Sequence, residues 1–180
     1  MEHDINRYKK ISFYTNKYCN ICDSDLEDPV INLPSYPLTG IYSDRLLDEP
    51  VGFIDQAFHY CHHCGHGQLA NIVDRNLLFN KDVYSYKTSN SMSGKKSADF
   101  FISFINKIAN KTSYQTIVEI GCNSLYLLNS LKNKAKHLIG IDPILAGSEK
   151  EMSDDKINVI GDFFENVNID KNIDIIICNY

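Results

Sequence analysis

Four cysteines in two pairs are the residues of this 180-residue sequence best suited to chemistry. Cys19 and Cys22 form CNIC, Cys61 and Cys64 form CHHC, and 38 residues separate the pairs. Each Cys-x-x-Cys places two thiolates on one tight knuckle, and two knuckles close a tetrahedral shell around zinc. Gly65 follows the second pair directly, where a left-handed residue turns backbone N–H groups toward sulfur. Asp23 holds the equivalent place in the first knuckle, and Asp tolerates that conformation better than most residues. Four cysteines fill the shell and leave no open position, so the metal is expected to be structural. His62, His63 and His66 crowd the second knuckle as alternative ligands or catalytic groups, but a filled shell does not need them. Two disulfides are the competing reading. MEHDINRYKK has no apolar leader core, and six cysteines in such a chain favour metal or free thiols. Cys122 and Cys178 lie in strand-like surroundings and read as small core residues.

A second chemistry lies in TIVEIGCNSLYLLNSLKNKAKHLIGIDP, residues Thr116 to Pro143. Thr116 to Ile120 is β-branched and predicts a buried strand, which Gly121 ends. Ser124 to Lys134 carries Leu125, Leu128 and Leu131 on one side of a predicted helix. His137 to Ile141 predicts a second strand, closed by Asp142. A βαβ unit of this kind offers free N–H groups where its helix begins, and an acid ending its second strand is placed to accept hydrogen bonds from a ribose.

The remaining elements must hold these two centres. Met1 to Tyr18 predicts a short strand or loop. Asp23 to Tyr60 holds four of the five prolines, Pro29, Pro34, Pro37 and Pro50, without helical period, as in a zinc-held β-rich subdomain. The run QLANIVDRNLLF after Gly67 is short and apolar and fits beneath the metal. Asp82 to Lys96 is polar and serine-rich, a linker by composition, although Tyr84 and Tyr86 could equally face a pocket. Lys96 to Asn110 predicts a helix through Ala98, Phe101, Ile102, Ile105, Ile108 and Ala109. Beyond Pro143 the expectation is a helix over Ala146 to Asp154, a strand over Ile157 to Ile160, a turn at Gly161-Asp162-Phe163 and a strand over Ile173 to Asn179. Hydrophobic residues at 43% suffice for a packed core. The net charge of −5 argues against nucleic acid as a partner. No apolar run approaches a membrane span, and a cytoplasmic location is the default expectation.

VEIGCN, GIDP and GDFF, in this order, resemble the class I S-adenosylmethionine-dependent methyltransferases. The paired Cys-x-x-Cys with CHHCGHGQL and the downstream YSYKTSNS narrow the resemblance to the sugar C-methyltransferases, which join a zinc-binding N-terminal domain to a methyltransferase domain. The resemblance runs from Cys19 onward. It implies an α/β fold: a small zinc-binding β-rich domain over residues 1–81, then the first half of a Rossmann-like class I methyltransferase fold over residues 82–180. It also implies site residues. Glu119, Gly121 and Asn123 match the first cofactor loop, Asp142 the acid that takes the cofactor ribose, and Asp162 and Phe163 the turn that holds the adenine. Tyr84 and Tyr86 match the tyrosine-bearing segment that closes over the active site. The family loop often reads G-x-N-D-G, and Ser124 and Leu125 replace its last two residues here.

The implied reaction is methylation of a nucleotide-linked ketosugar at carbon, with S-adenosylmethionine as cofactor and zinc in a structural role. Transfer to carbon needs a base within reach of the proton beside the carbonyl. Tyr84 or Tyr86 could assist, but the family's main base lies past the fourth strand, beyond Tyr180. The chain is therefore expected to be an inactive fragment of a longer enzyme, with an apolar fourth strand at its edge. Two other readings remain: a zinc-ribbon interaction module without catalysis, and a methyltransferase acting on another small-molecule acceptor.

Overall fold

A computed structural model describes residues 8–39, 46, 48–49, 51–79, 81, 84–108 and 113–179. Residues 1–7 of the leading stretch, Pro50, Asp82, Val83, Ala109, Asn110 and Tyr180 lie outside them. The chain divides into two compact units, Met1–Leu78 and Phe79–Tyr180. Among the described residues, no helix is long and apolar enough to cross a membrane.

The first unit is β-rich. Strand β1 (Phe13–Thr15) pairs antiparallel with β5 (Asn71–Val73). Strands β2 (Ile31–Pro37), β3 (Phe53–Tyr60) and β4 (Gly67–Leu69) form an antiparallel sheet in that order. The β2–β3 register slips between Leu33 and Tyr36, where Pro34 cannot donate to the ladder and Ser35 turns left-handed at φ +50°. A short helix α1 (Arg75–Leu78) follows β5. A buried glutamine ties the two sheets together. Gln56 of β3 accepts the Asn71 N–H at 2.8 Å through Oε1 and donates to the Asn71 carbonyl at 2.8 Å through Nε2. Its amide thus supplies the donor–acceptor pair that a neighbouring backbone would.

The second unit is α/β. Helix α2 (Met92–Ile108) precedes β6 (Tyr114–Ile120), α3 (Tyr126–Ser130), β7 (Ala135–Ile141), α4 (Glu149–Met152), β8 (Ile157–Ile160) and β9 (Ile175–Cys178). The four strands are parallel, in the order β8-β7-β6-β9. Alternate residues serve opposite faces, as a pleated strand requires. Ile117, Leu138, Val159 and Ile177 pack with Leu125, Leu128, Leu131 and Ile105, whereas Val118, Ile139 and Ile141 pack with Val167, Ile169 and Ile173.

Several expectations are corrected. The helix expected over Ser124 to Lys134 spans only five residues. The Asn129 amide donates to the Leu125 carbonyl at 2.8 Å beside the helical bond from the Asn129 N–H at 2.9 Å, and the helix ends at Leu131, whose N–H is shared between the Leu127 and Leu128 carbonyls at 3.2 and 3.0 Å. The expected helix over Ala146 to Asp154 shrinks to α4, because Gly147 is left-handed at φ +80°. Helix α2 begins four residues before Lys96, with the Ser91 hydroxyl accepting the Gly94 N–H at 3.1 Å as an N-cap. Strand β9 is shorter than Ile173 to Asn179, while its place at the edge of the sheet is the one expected. Its composition suggested burial on both faces, yet Ile177 is buried while Ile176 and Cys178 are exposed. Cys122 is a core residue; Cys178 is not.

Candidate functional site

The two knuckles of the first unit are near copies of each other. In the first, the Asp23 N–H bonds the Cys19 carbonyl at 3.0 Å and the Cys19 N–H bonds the Ser24 carbonyl at 2.8 Å. In the second, the Gly65 N–H bonds the Cys61 carbonyl at 2.8 Å and the Cys61 N–H bonds the His66 carbonyl at 2.8 Å. Both close through a left-handed residue, Asp23 at φ +58° and Gly65 at φ +79°. Glycine and aspartate stand where most side chains would be strained.

The knuckles bring all four sulfurs within 4.8 Å of one another. Cys19 Sγ lies 3.6 Å from Cys64 Sγ, and Cys22 Sγ 3.6 Å from Cys61 Sγ. A tetrahedral zinc with bonds near 2.3 Å requires sulfurs about 3.8 Å apart, so the cage has the size of that ion. All six cysteines of the chain are free thiols. The Ser24 hydroxyl and N–H hold Cys22 down to about 5, the condition of a thiolate at neutral pH. The His66 N–H lowers Cys64, but burial and the three neighbouring sulfurs outweigh it and push the thiol up to about 12. Four thiolates cannot coexist in this cage without a cation, and a divalent metal supplies that charge.

Gln68 supports the cage from β4. Only 6% exposed, it accepts the Asn20 N–H at 2.8 Å and donates to the Tyr18 carbonyl at 3.0 Å, gripping the first knuckle on both sides of Cys19. Sequence reasoning placed it in a signature without giving it this role. The available signal was an amide at the head of a short apolar run, four residues after Cys64. None of the three histidines joins the cluster: His62 faces Glu27 at 3.7 Å, His63 is exposed, and His66 contributes backbone.

In the second unit, Glu119, Gly121, Asn123 and Asp142 meet where β6 and β7 end. Gly121 is left-handed at φ +73°, and a Cβ added there would meet nothing within 4 Å, so the turn faces open space. Asp142 Oδ2 accepts the Asn123 N–H at 2.7 Å, and Oδ1 accepts the Ile144 N–H at 3.1 Å. Burial raises the Asp142 pKa, and those two N–H groups hold it back. Burial, with Asp142 nearby, pushes Glu119 up to about 8 against the Leu128 N–H. Asn123 and Leu125 are also left-handed, at φ +49° and +59°. Leu125 therefore takes a glycine-like conformation while its side chain, 3% exposed, fills the core.

The segment expected as a linker docks on this turn. The Asn123 amide donates to the Tyr86 carbonyl at 2.9 Å and accepts the Thr88 N–H at 3.0 Å, and the Ser124 hydroxyl accepts the Ser89 N–H at 3.1 Å. Tyr86 is 48% exposed, and its hydroxyl lies so close to Gly94 that a Cβ there would stand 2.5 Å away. Tyr84 packs its ring against Phe79. Asp162 and Phe163 follow β8, where the Asp162 carboxylate accepts the Phe163 N–H at 2.7 Å and the Asn166 amide at 2.8 Å within its own turn.

Residues 19–79 match a family model, Methyltransf_13, described as "putative zinc binding domain". No curated protein matches the chain. The match begins at Cys19, the first of the four clustered cysteines, and encloses them all. Residues 19–79 are thus similar to a zinc-binding domain whose family name is associated with methyltransferases, and their four clustered cysteines fit the binding of zinc.

Proposed function

We propose that the protein is an S-adenosylmethionine-dependent methyltransferase whose second unit is a Rossmann-like class I fold. The carrying observation is the sheet order β8-β7-β6-β9 together with the open turn after β6. Strand order reverses between β6 and β9, and open parallel sheets bind ligands beyond their carboxyl ends at such a switch point. Glu119, Gly121, Asn123 and Asp142 all lie there. The donor set suits the cofactor. Asp142 presents a buried carboxylate for ribose hydroxyls, Gly121 leaves room for close approach, and Glu119 Oε2 has no partner among the described residues. Asp162 and Phe163 are assigned to the adenine, and the segment bearing Tyr84 and Tyr86 to closure over the acceptor.

The cofactor, when bound, supplies an electrophilic methyl group. The chain's own work is to orient it, exclude water and position the acceptor. The acceptor we assign is a nucleotide-linked ketosugar methylated at carbon, on the motif resemblance and the methyltransferase-associated zinc domain. Zinc is structural, since four thiolates leave no open coordination position. A reducing compartment such as the cytoplasm suits such a site.

Calorimetric titration of the full chain with S-adenosylmethionine tests the reading. Asp142→Ala should bind at least tenfold more weakly, as loss of charged hydrogen bonds worth about 1.5–3 kcal/mol requires. No binding by a zinc-loaded, folded chain would refute the proposal and favour a zinc-ribbon interaction module.

A further inference from the structure

We infer that Glu119 is protonated in the free protein and gives up its proton when the cationic aminoacyl end of the cofactor arrives, so that cofactor binding is coupled to proton release. This rests on the proposed function and adds a pH dependence to the same site.

Glu119 is the next-to-last residue of β6, on the face that carries Ile117, and only 6% of it is exposed. Opposite it stand Gly140 of β7, which offers no side chain, and Ile177 of β9. The titratable groups facing it are the Asp142 carboxyl at the end of β7 and the Cys122 thiol in the turn. From α3 comes the Leu128 N–H. None of these is a cation, and Oε2 has no hydrogen-bond partner among the described residues. A buried carboxylate in such surroundings is strongly disfavoured, so the group keeps its proton. Burial first and Asp142 second raise its pKa from 4.5 to about 8.

Two residues on, the space before Gly121 is open. A ligand ammonium there supplies the missing counter-charge and the missing donor together. The balance is simple: the Glu119 carboxylic acid becomes a carboxylate paired with the cation, and its proton passes to solvent. Asp142 differs, because two backbone N–H groups already serve its oxygens.

The test is calorimetry of the zinc-loaded full chain with S-adenosylmethionine at pH 7, in phosphate and in Tris, whose ionisation enthalpies differ. A group titrating near 8 is about nine-tenths protonated at pH 7, and the ligand's α-amino group takes up roughly 0.1 proton to bind as the cation, so roughly 0.8 proton should leave per cofactor bound, and affinity should rise about eightfold from pH 6 to pH 7. Glu119→Gln should bind more weakly, release no proton and show affinity flat over that interval. Infrared difference spectra of the wild type, independent of any variant's folding, should lose a protonated-carboxyl band on binding. Binding without proton release, or equal release by Glu119→Gln, overturns the inference and leaves the methyltransferase reading standing. Absence of binding overturns both.

Discussion

Replacing Gln68 by alanine should loosen the metal cage without touching a ligand. Its side chain makes two hydrogen bonds to the first knuckle, to the Asn20 N–H at 2.8 Å and the Tyr18 carbonyl at 3.0 Å. Each is worth about 1 kcal/mol net. The space left by a side chain that is only 6% exposed adds to the loss. A total of about 2–3 kcal/mol corresponds to a 30- to 150-fold fall in zinc affinity, similar to the tenfold to 100-fold effect of removing an outer support of a metal ligand. Competition with a chromophoric zinc chelator, under reducing anaerobic conditions, reads this directly. Gln68→Glu keeps an acceptor for Asn20 but loses the donor to Tyr18, so it should fall between wild type and alanine. Gln115, exposed on β6 in the other unit, provides a control whose alanine variant should bind zinc normally. A Gln68→Ala affinity within twofold of wild type would show that the knuckle holds itself and that the reasoning is wrong.

Three further outcomes are expected. Gly65→Ala should cost about 1–2 kcal/mol in urea denaturation of the zinc-loaded protein, from left-handed backbone strain, because the added methyl meets only Tyr60 Oη at an ordinary 3.6 Å. Leu125→Gly should relieve about 1 kcal/mol of similar strain but forfeit about 2–5 kcal/mol of core packing, so the melt should fall, and a rise would refute the balance. Glu119 holds a proton in the folded state between its ordinary range and about 8. Its contribution to stability is therefore complete below about pH 4.5 and lost as pH rises through 8, with a ceiling of roughly 5 kcal/mol. Denaturation at pH 5 and pH 9 should show wild type losing more stability than Glu119→Gln, and parallel losses would count against the assignment.

Local pattern carried the strands and the knuckles because both are local events. β-branched runs fixed Thr116 to Ile120 within β6, and Ile157 to Ile160 matches β8. The requirement for a left-handed residue after each Cys-x-x-Cys singled out Asp23 and Gly65. The leucine stripe was right about burial, with Leu125, Leu128 and Leu131 all in the core, but overextended the helix. Period alone does not register that the turn tightens at Leu131, whose N–H is shared between the Leu127 and Leu128 carbonyls. Long-range order was invisible. The segment around Thr88 and Ser89 reads as linker because its partners, Asn123 and Ser124, lie 35 residues away. Cys178 misled for a similar reason. Its apolar neighbours suggest burial on both faces, whereas at the sheet edge Ile176 and Cys178 are exposed.

The four-sulfur cluster is also a knot in the chain's connectivity. Cys22 and Cys61 are separated by 39 positions, and strands β2 and β3 lie wholly between them. A metal that joins those ends removes loop-closure entropy from the unfolded chain, about 4 kcal/mol for a loop near 40 residues if it acts like a covalent crosslink. The β2–β3 hairpin, interrupted by Pro34 and Ser35, thereby forms within a tethered loop whose ends have already met. Zinc in this protein is thus a topological device. It turns a pairing between distant stretches into a local one, and its capture should precede the sheet on the folding path.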